Sequence, residues 1–250
     1  MTALAPQLIT VENQTSEGVL TAKELFDLAW ALNYQAAYQY GRSPWVELGY
    51  APPAHVVSLP QDGQRVVKPP VGAWNLILLD TSTVAGALGY HEDEQGNEIP
   101  FSDVFVKTAR ENQTSPVEVA SHEMLEMLVD PDVAKVRTVT HEGQLYIVEV
   151  ADPVQGCGYD VGKPEGRETG VIVADFALPA WFGMAQEGAD IDATAMSFRN
   201  SVSEPFTLAP DGYISVAPES EPEQWKQIFG SSSTRELPQW ASRLPRIHNL

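Results

Sequence analysis

The chain has 250 residues, 43% of them hydrophobic, with 15 Lys+Arg against 34 Asp+Glu and a formal net charge of −19. A chain of this length buries well over half of its unfolded surface and needs no disulfides to fold, and its single cysteine, Cys157, excludes both an intramolecular disulfide and a cysteine-based zinc cluster. So acidic a surface repels phosphate backbones and anionic lipid, which argues against nucleic-acid and membrane partners.

Residues 1–20 read as an irregular lead-in. Thr21 and Glu24 then have the spacing of a capping box, and Leu25, Leu28, Leu32 and Ala36 follow at helical intervals, predicting an amphipathic helix from Lys23 to about Tyr40. Strands are expected over Val56–Leu59, Trp74–Asp80 and Val84–His91, then an acidic loop over Glu92–Glu98 and a short strand over Phe101–Val106. The clearest helix runs from Pro116 to Val129. Ser115 can cap it, proline suits its first turn, and Asp130 before Pro131 stops it. Strand character returns at Val136–Thr140, Leu145–Val150 and Val171–Phe176, with a glycine-rich loop between the last two. Phe206–Val216 reads as a hairpin around Asp211 and Gly212. The last twenty residues are net basic and read as a tail that docks on a partner.

These elements divide the chain into a lead-in (1–20), a main domain (21–182), a C-terminal extension (183–230) and a tail (231–250). Met1–Glu12 lacks the basic and apolar regions of a signal peptide, and no apolar run reaches about 18 residues. The expected location is therefore the cytoplasm in which the chain is made.

The chemistry concentrates in Ser121–Pro131, whose core is H-E-x-x-E on the predicted helix. His122 and Glu126 stand four residues apart on one helical face, so both can ligate one metal ion. Glu123 holds the position of the general base in the zinc-peptidase H-E-x-x-H arrangement. A carboxylate ligates zinc about as closely as an imidazole does, although one histidine with several carboxylates also suits a harder divalent ion. For the third ligand Asp152 and Glu149 are favoured jointly, with Asp130 behind them. Glu149 and Asp152 have opposite strand parity, so both can face one ion only if the chain bends before Pro153. His91 and Tyr159 are candidates for contact with substrate or a developing oxyanion. Against this stands the plainer reading of an exposed acidic helix face with ordinary loop residues around it.

The segments ALGYHE, VEVASHEMLEMLVDP, YIVEVADPVQGCGY and VIVADFALPAWF together resemble zincin-like, H-E-x-x-E metallopeptidase-like proteins of bacteria, prophages and phages. The resemblance runs from about Leu88 to Phe182. It implies an α+β fold in which a mixed or antiparallel sheet packs on the long N-terminal helix and the H-E-x-x-E helix, with irregular terminal arms. It implies zinc or another divalent ion on His122 and Glu126, and Glu123 as base. Two functions follow as expectations. One is a metal-dependent hydrolase acting on a peptide or protein. The other is a virion or assembly component on an inert scaffold of the same shape, partnered by phage structural proteins or by itself, which adds the virion and the host cytoplasm as locations.

Overall fold

Leu8, Ile9, Thr10 and Val11 favour extended backbone, and in the computed structural model they form a strand. The structure describes residues 4–62, 65, 66, 68–82, 87–93, 99–131, 137–162 and 168–231. In chain order the elements are β1 (Gln7–Asn13), α1 (Ala22–Tyr34), α2 (Pro44–Glu47), β2 (Ala54–Ser58), β3 (Gln61–Asp62), β4 (Arg65–Val66), β5 (Trp74–Leu79), β6 (Gly89–Asp93), β7 (Pro100–Phe105), α3 (Val106–Glu111), α4 (Pro116–Val129), β8 (Thr138–His141), β9 (Gln144–Ile147), β10 (Tyr159–Asp160), β11 (Ile172–Val173), β12 (Tyr213–Pro218) and β13 (Lys226–Phe229).

The protein is α+β. A five-stranded sheet has the order β2-β1-β5-β7-β6, in which β6 alone runs antiparallel, on β7 at one end. A second, antiparallel sheet has the order β13-β12-β9-β8, and β10 pairs with β11. The expected lead-in is thereby corrected: β1 lies between two parallel partners, and Ile9 to Val11 and Glu12 are buried in succession. A strand covered on both faces shows no polar–apolar alternation, and that hides it from a reading by period.

α1 begins on the predicted capping box, with Thr21 and Glu24 bonding each other's backbone. Its end differs from expectation. The helix widens into a π-helical turn at Gln35–Gln39 and tightens into a 3-10 turn at Tyr40–Arg42. Such a bulge re-aims side chains. Gln35 Nε2 donates to the Ala174 carbonyl at 2.8 Å, and Gln39 Nε2 to that of Val161 at 2.9 Å.

α4 has the predicted limits and the predicted Ser115 cap, whose hydroxyl accepts from Val117 N. It packs against α1, α3, β6, β7 and β11. Every residue from Val119 to Val129 is buried, so the exposed acidic face of the plainer reading is absent.

Residues expected as a C-terminal extension share the core of the main domain. Val202, Ala209, Ile214 and Val216 join one hydrophobic cluster with Leu28, Leu76, Leu125 and Trp181. The hairpin there is β12–β13, turning after Pro218 rather than at Asp211 and Gly212. Among the described residues no helix is long and apolar enough to cross a membrane. Val84–Gly86, the acidic loop beyond Asp93, and the tail from 232 onward lie outside the described residues.

Candidate metal centre

The buried helix α4 carries His122, Glu123 and Glu126, respectively 5%, 1% and 1% exposed. Ionisable side chains are rarely buried unless paired or bound to a cation. Beyond β9 the chain passes Glu149 and turns into the 3-10 turn Asp152–Val154. The bend that joint use of Glu149 and Asp152 would require is therefore present. This segment is pinned from three sides. Val148 N donates to Arg137 O at 2.9 Å, Ala177 N to Val150 O at 2.7 Å, and Ala209 N to Pro153 O at 2.9 Å.

The result is a convergence of ligand atoms. His122 Nε2 lies 3.2 Å from Glu126 Oε1 and 3.2 Å from Asp152 Oδ1, with all three residues buried. Neither His122 Nε2 nor Asp152 Oδ1 has a hydrogen-bond partner despite that proximity. Two ligand atoms each about 2.0–2.1 Å from a tetrahedral ion stand about 3.3–3.4 Å apart, close to both separations from His122 Nε2. The donor set of one imidazole nitrogen and two carboxylate oxygens therefore fits a divalent ion. Burial disfavours a charged His122 imidazole, but Glu126, Asp152 and Glu123 outweigh it and raise its pKa well above the usual value.

The other expected residues fall elsewhere. Glu149 is buried, 1% exposed, but lies outside the three-atom cluster. Asp130, also buried, accepts from the backbone N of Arg137 at 3.0 Å and ends α4. Arg137 in turn donates to Val129 O and Tyr50 O and stacks over Trp45. The Tyr159 hydroxyl donates to Gln39 Oε1 at 2.8 Å and accepts from Gln35 Nε2 at 3.3 Å, both on the π-helical turn. His91 pairs opposite Ser102 within β6, and its side chain lies outside the described residues. His141 ends β8 and stacks on Phe206 at 4.0 Å.

Glu123 and His122 line a small cavity of about 10 Å³, together with Glu118, Gln155, Cys157 and Asp175. That is room for about one water molecule. Asp175 is a structural hub there: its carboxylate accepts from Ser197 Oγ, Ser201 Oγ, Phe176 N and Arg199 N.

Two further residues line the centre, and neither stood out from the sequence as a site residue. A Cβ at Gly89 would stand 2.8 Å from Glu123 Cγ and 2.9 Å from Val119 Cγ1, so only glycine lets β6 approach α4 this closely. Gly89→Ala is expected to destabilise the fold by about 1–3 kcal/mol through overpacking, read as a shifted urea midpoint; an unchanged midpoint would mean that β6 yields freely. The second residue is Tyr213 at the start of β12, 3% exposed. Burial, reinforced by Asp152, Glu126 and Glu149, pushes its pKa well above the tyrosine range.

Comparison with known proteins finds no family model, no curated protein and no solved structure that matches this chain.

Proposed function

We propose that the protein is a metal-dependent hydrolase of zincin-like type acting on peptide bonds. The observation that carries this reading is the buried convergence of His122 Nε2, Glu126 Oε1 and Asp152 Oδ1, with Glu123 next to the first ligand on the same helix. The single antiparallel strand at the end of the main sheet, touching the site helix at Gly89, supports the zincin-like assignment. Strand pairing along such an edge is a recurrent way of binding extended peptides.

His122, Glu126 and Asp152 would hold the ion, with zinc first among the candidates. A bound divalent ion supplies Lewis acidity toward a carbonyl oxygen and toward water. The protein's own part is positional and proton-handling. Glu123 accepts a proton from the attacking water as its oxygen bonds to the scissile carbonyl carbon. It then returns that proton to the departing amine as the C–N bond breaks, leaving a carboxylic acid and an amine. The closely packed walls of the site exclude bulk water and strengthen each of these interactions.

Elemental mass spectrometry on untagged protein prepared without chelators tests the reading. About one zinc or other divalent ion per chain is expected, and loss of it in His122→Ala. A metal-free wild type would overturn the proposal and leave the scaffold function as the better account.

A further inference from the structure

We propose that Gln155 orients the attacking water: its side-chain carbonyl Oε1 accepts one hydrogen of a water held in the cavity that it shares with His122 and Glu123, and so turns the other hydrogen toward Glu123. The inference rests on the hydrolase reading above and names the group that fixes the nucleophile in it.

Gln155 Oε1 is buried and has no hydrogen-bond partner in the protein. Taking a carbonyl out of water is costly unless another donor replaces the lost one, and buried polar atoms nearly always have a partner in the protein or in an ordered water. Gln155 lines the cavity of about 10 Å³ beside His122 and Glu123. That is space for about one water, which itself needs about two to four polar partners. Of the carboxylates on the wall, Asp175 already accepts from Ser197, Ser201, Phe176 and Arg199, which fills about all of its lone-pair sites. Gln155 Oε1 therefore shares the wall with the carboxylates of Glu118 and Glu123.

The chemistry separates these acceptors. An amide carbonyl accepts a hydrogen bond but does not take up a proton near neutral pH, whereas a carboxylate does both. A water bonded to Gln155 and Glu123 has its two hydrogens sorted in advance. The one on Glu123 leaves as the oxygen bonds to the scissile carbon. The one on Gln155 stays with that oxygen and ends in the carboxyl group of the product. Orientation of the nucleophile before the reaction lowers its entropic barrier.

The backbone around Gln155 is built to hold it. Gln155 N donates to Asp152 O at 3.1 Å, and Cys157 N to Val154 O at 3.0 Å. With φ −50° and ψ 137° at Gln155 and φ 80° at Gly156, the chain makes a type II β-turn, whose third position favours glycine. The Gln155 side chain leaves from the second position of this turn, which continues directly from the 3-10 turn Asp152–Val154. One short hydrogen-bonded stretch thus carries both the candidate ligand Asp152 and the candidate water acceptor.

The test pairs crystallography with kinetics on the protein as purified, its metal content measured. A crystal structure of the wild type is expected to show an ordered water about 2.7–3.2 Å from Gln155 Oε1 and bonded also to the Glu123 carboxylate. That water should be missing or displaced in Gln155→Met, which has nearly the same length and no carbonyl. On the most rapidly cleaved peptide of a fluorogenic library, Gln155→Met is expected to lower kcat about 10²-fold and to leave KM nearly unchanged, because the water and not the substrate is affected. Unchanged kinetics overturn the proposal, and so does a raised KM with kcat retained, which makes Gln155 a substrate contact. A wild type with no water at Oε1, or with one bonded to Glu118 alone, overturns it even where the variant fails to fold. A wild type that cleaves no peptide refutes the hydrolase reading and the role in attack with it, whereas equal cleavage by both proteins refutes only the role of Gln155.

Discussion

Glu123→Gln is expected to lower peptide hydrolysis by about 10²–10⁴-fold, the usual worth of a positioned general base, and to leave the bound ion in place. The amide has almost the shape of the carboxylate, so the close packing of the side chain on Gly89 is retained. What it loses is the capacity to take a proton. The ligands His122, Glu126 and Asp152 are untouched, so metal content should match that of wild type. A fluorogenic peptide library and elemental analysis on the same preparation separate the two quantities. Equal turnover in the variant would remove Glu123 from the mechanism. Loss of the ion would instead make Glu123 part of the ion's electrostatic support.

Trp45→Ala is expected to destabilise the protein by about 3–5 kcal/mol, a large share of a typical domain's stability. Trp45 is fully buried. It meets Tyr50 and Phe182 edge-on at centroid distances of 6.1 and 5.8 Å, and Arg137 stacks on it at 5.5 Å. Its indole N–H donates to Ala177 O at 2.8 Å, so truncation opens a cavity and also removes a donor from a buried carbonyl. The same Arg137 braces the end of α4 through Val129 O, and the loss should spread toward the ion site. A urea titration reads the effect; a change below about 1 kcal/mol would show that the neighbouring rings collapse into the space.

Local rules carried much of this architecture. Helix α4 could be placed from Ser115, Pro116 and Asp130–Pro131 because capping and proline chemistry act over a few residues. The pairing of His122 with Glu126 follows from helical period alone. The choice among third ligands did not follow. Glu149, Asp152 and Asp130 are equivalent by spacing, and what separates them is that Arg137 engages Asp130 while the 3-10 turn brings Asp152 toward His122. The surroundings of Tyr159 were equally hidden, since the π-helical turn that meets its hydroxyl has no recognisable period. The close approach of β12 to the Asp152–Val154 turn could not be found by any local signal, since it exists only once β12 pairs with β9 and Gly212 reaches Pro153. The assignment of α+β architecture stood because helix and strand periods alternate along the chain. The strand β1 was lost because burial on both faces erases its period.

The position of β12 also has a consequence in time. The candidate ligands and the backbone packed on them come from segments far apart in the chain, around residues 89, 122–126, 152 and 212, and long loops must close before such segments meet. A chain that has assembled the five-stranded sheet and α4 but not β12 lacks the strand that lies on the Asp152–Val154 turn. Metal uptake during refolding should accordingly trail the appearance of secondary structure and coincide with docking of the β12–β13 hairpin. An ion held there would act as a latch on that step: it would bind the finished fold in preference to partly folded forms and stabilise it in proportion to the logarithm of its concentration.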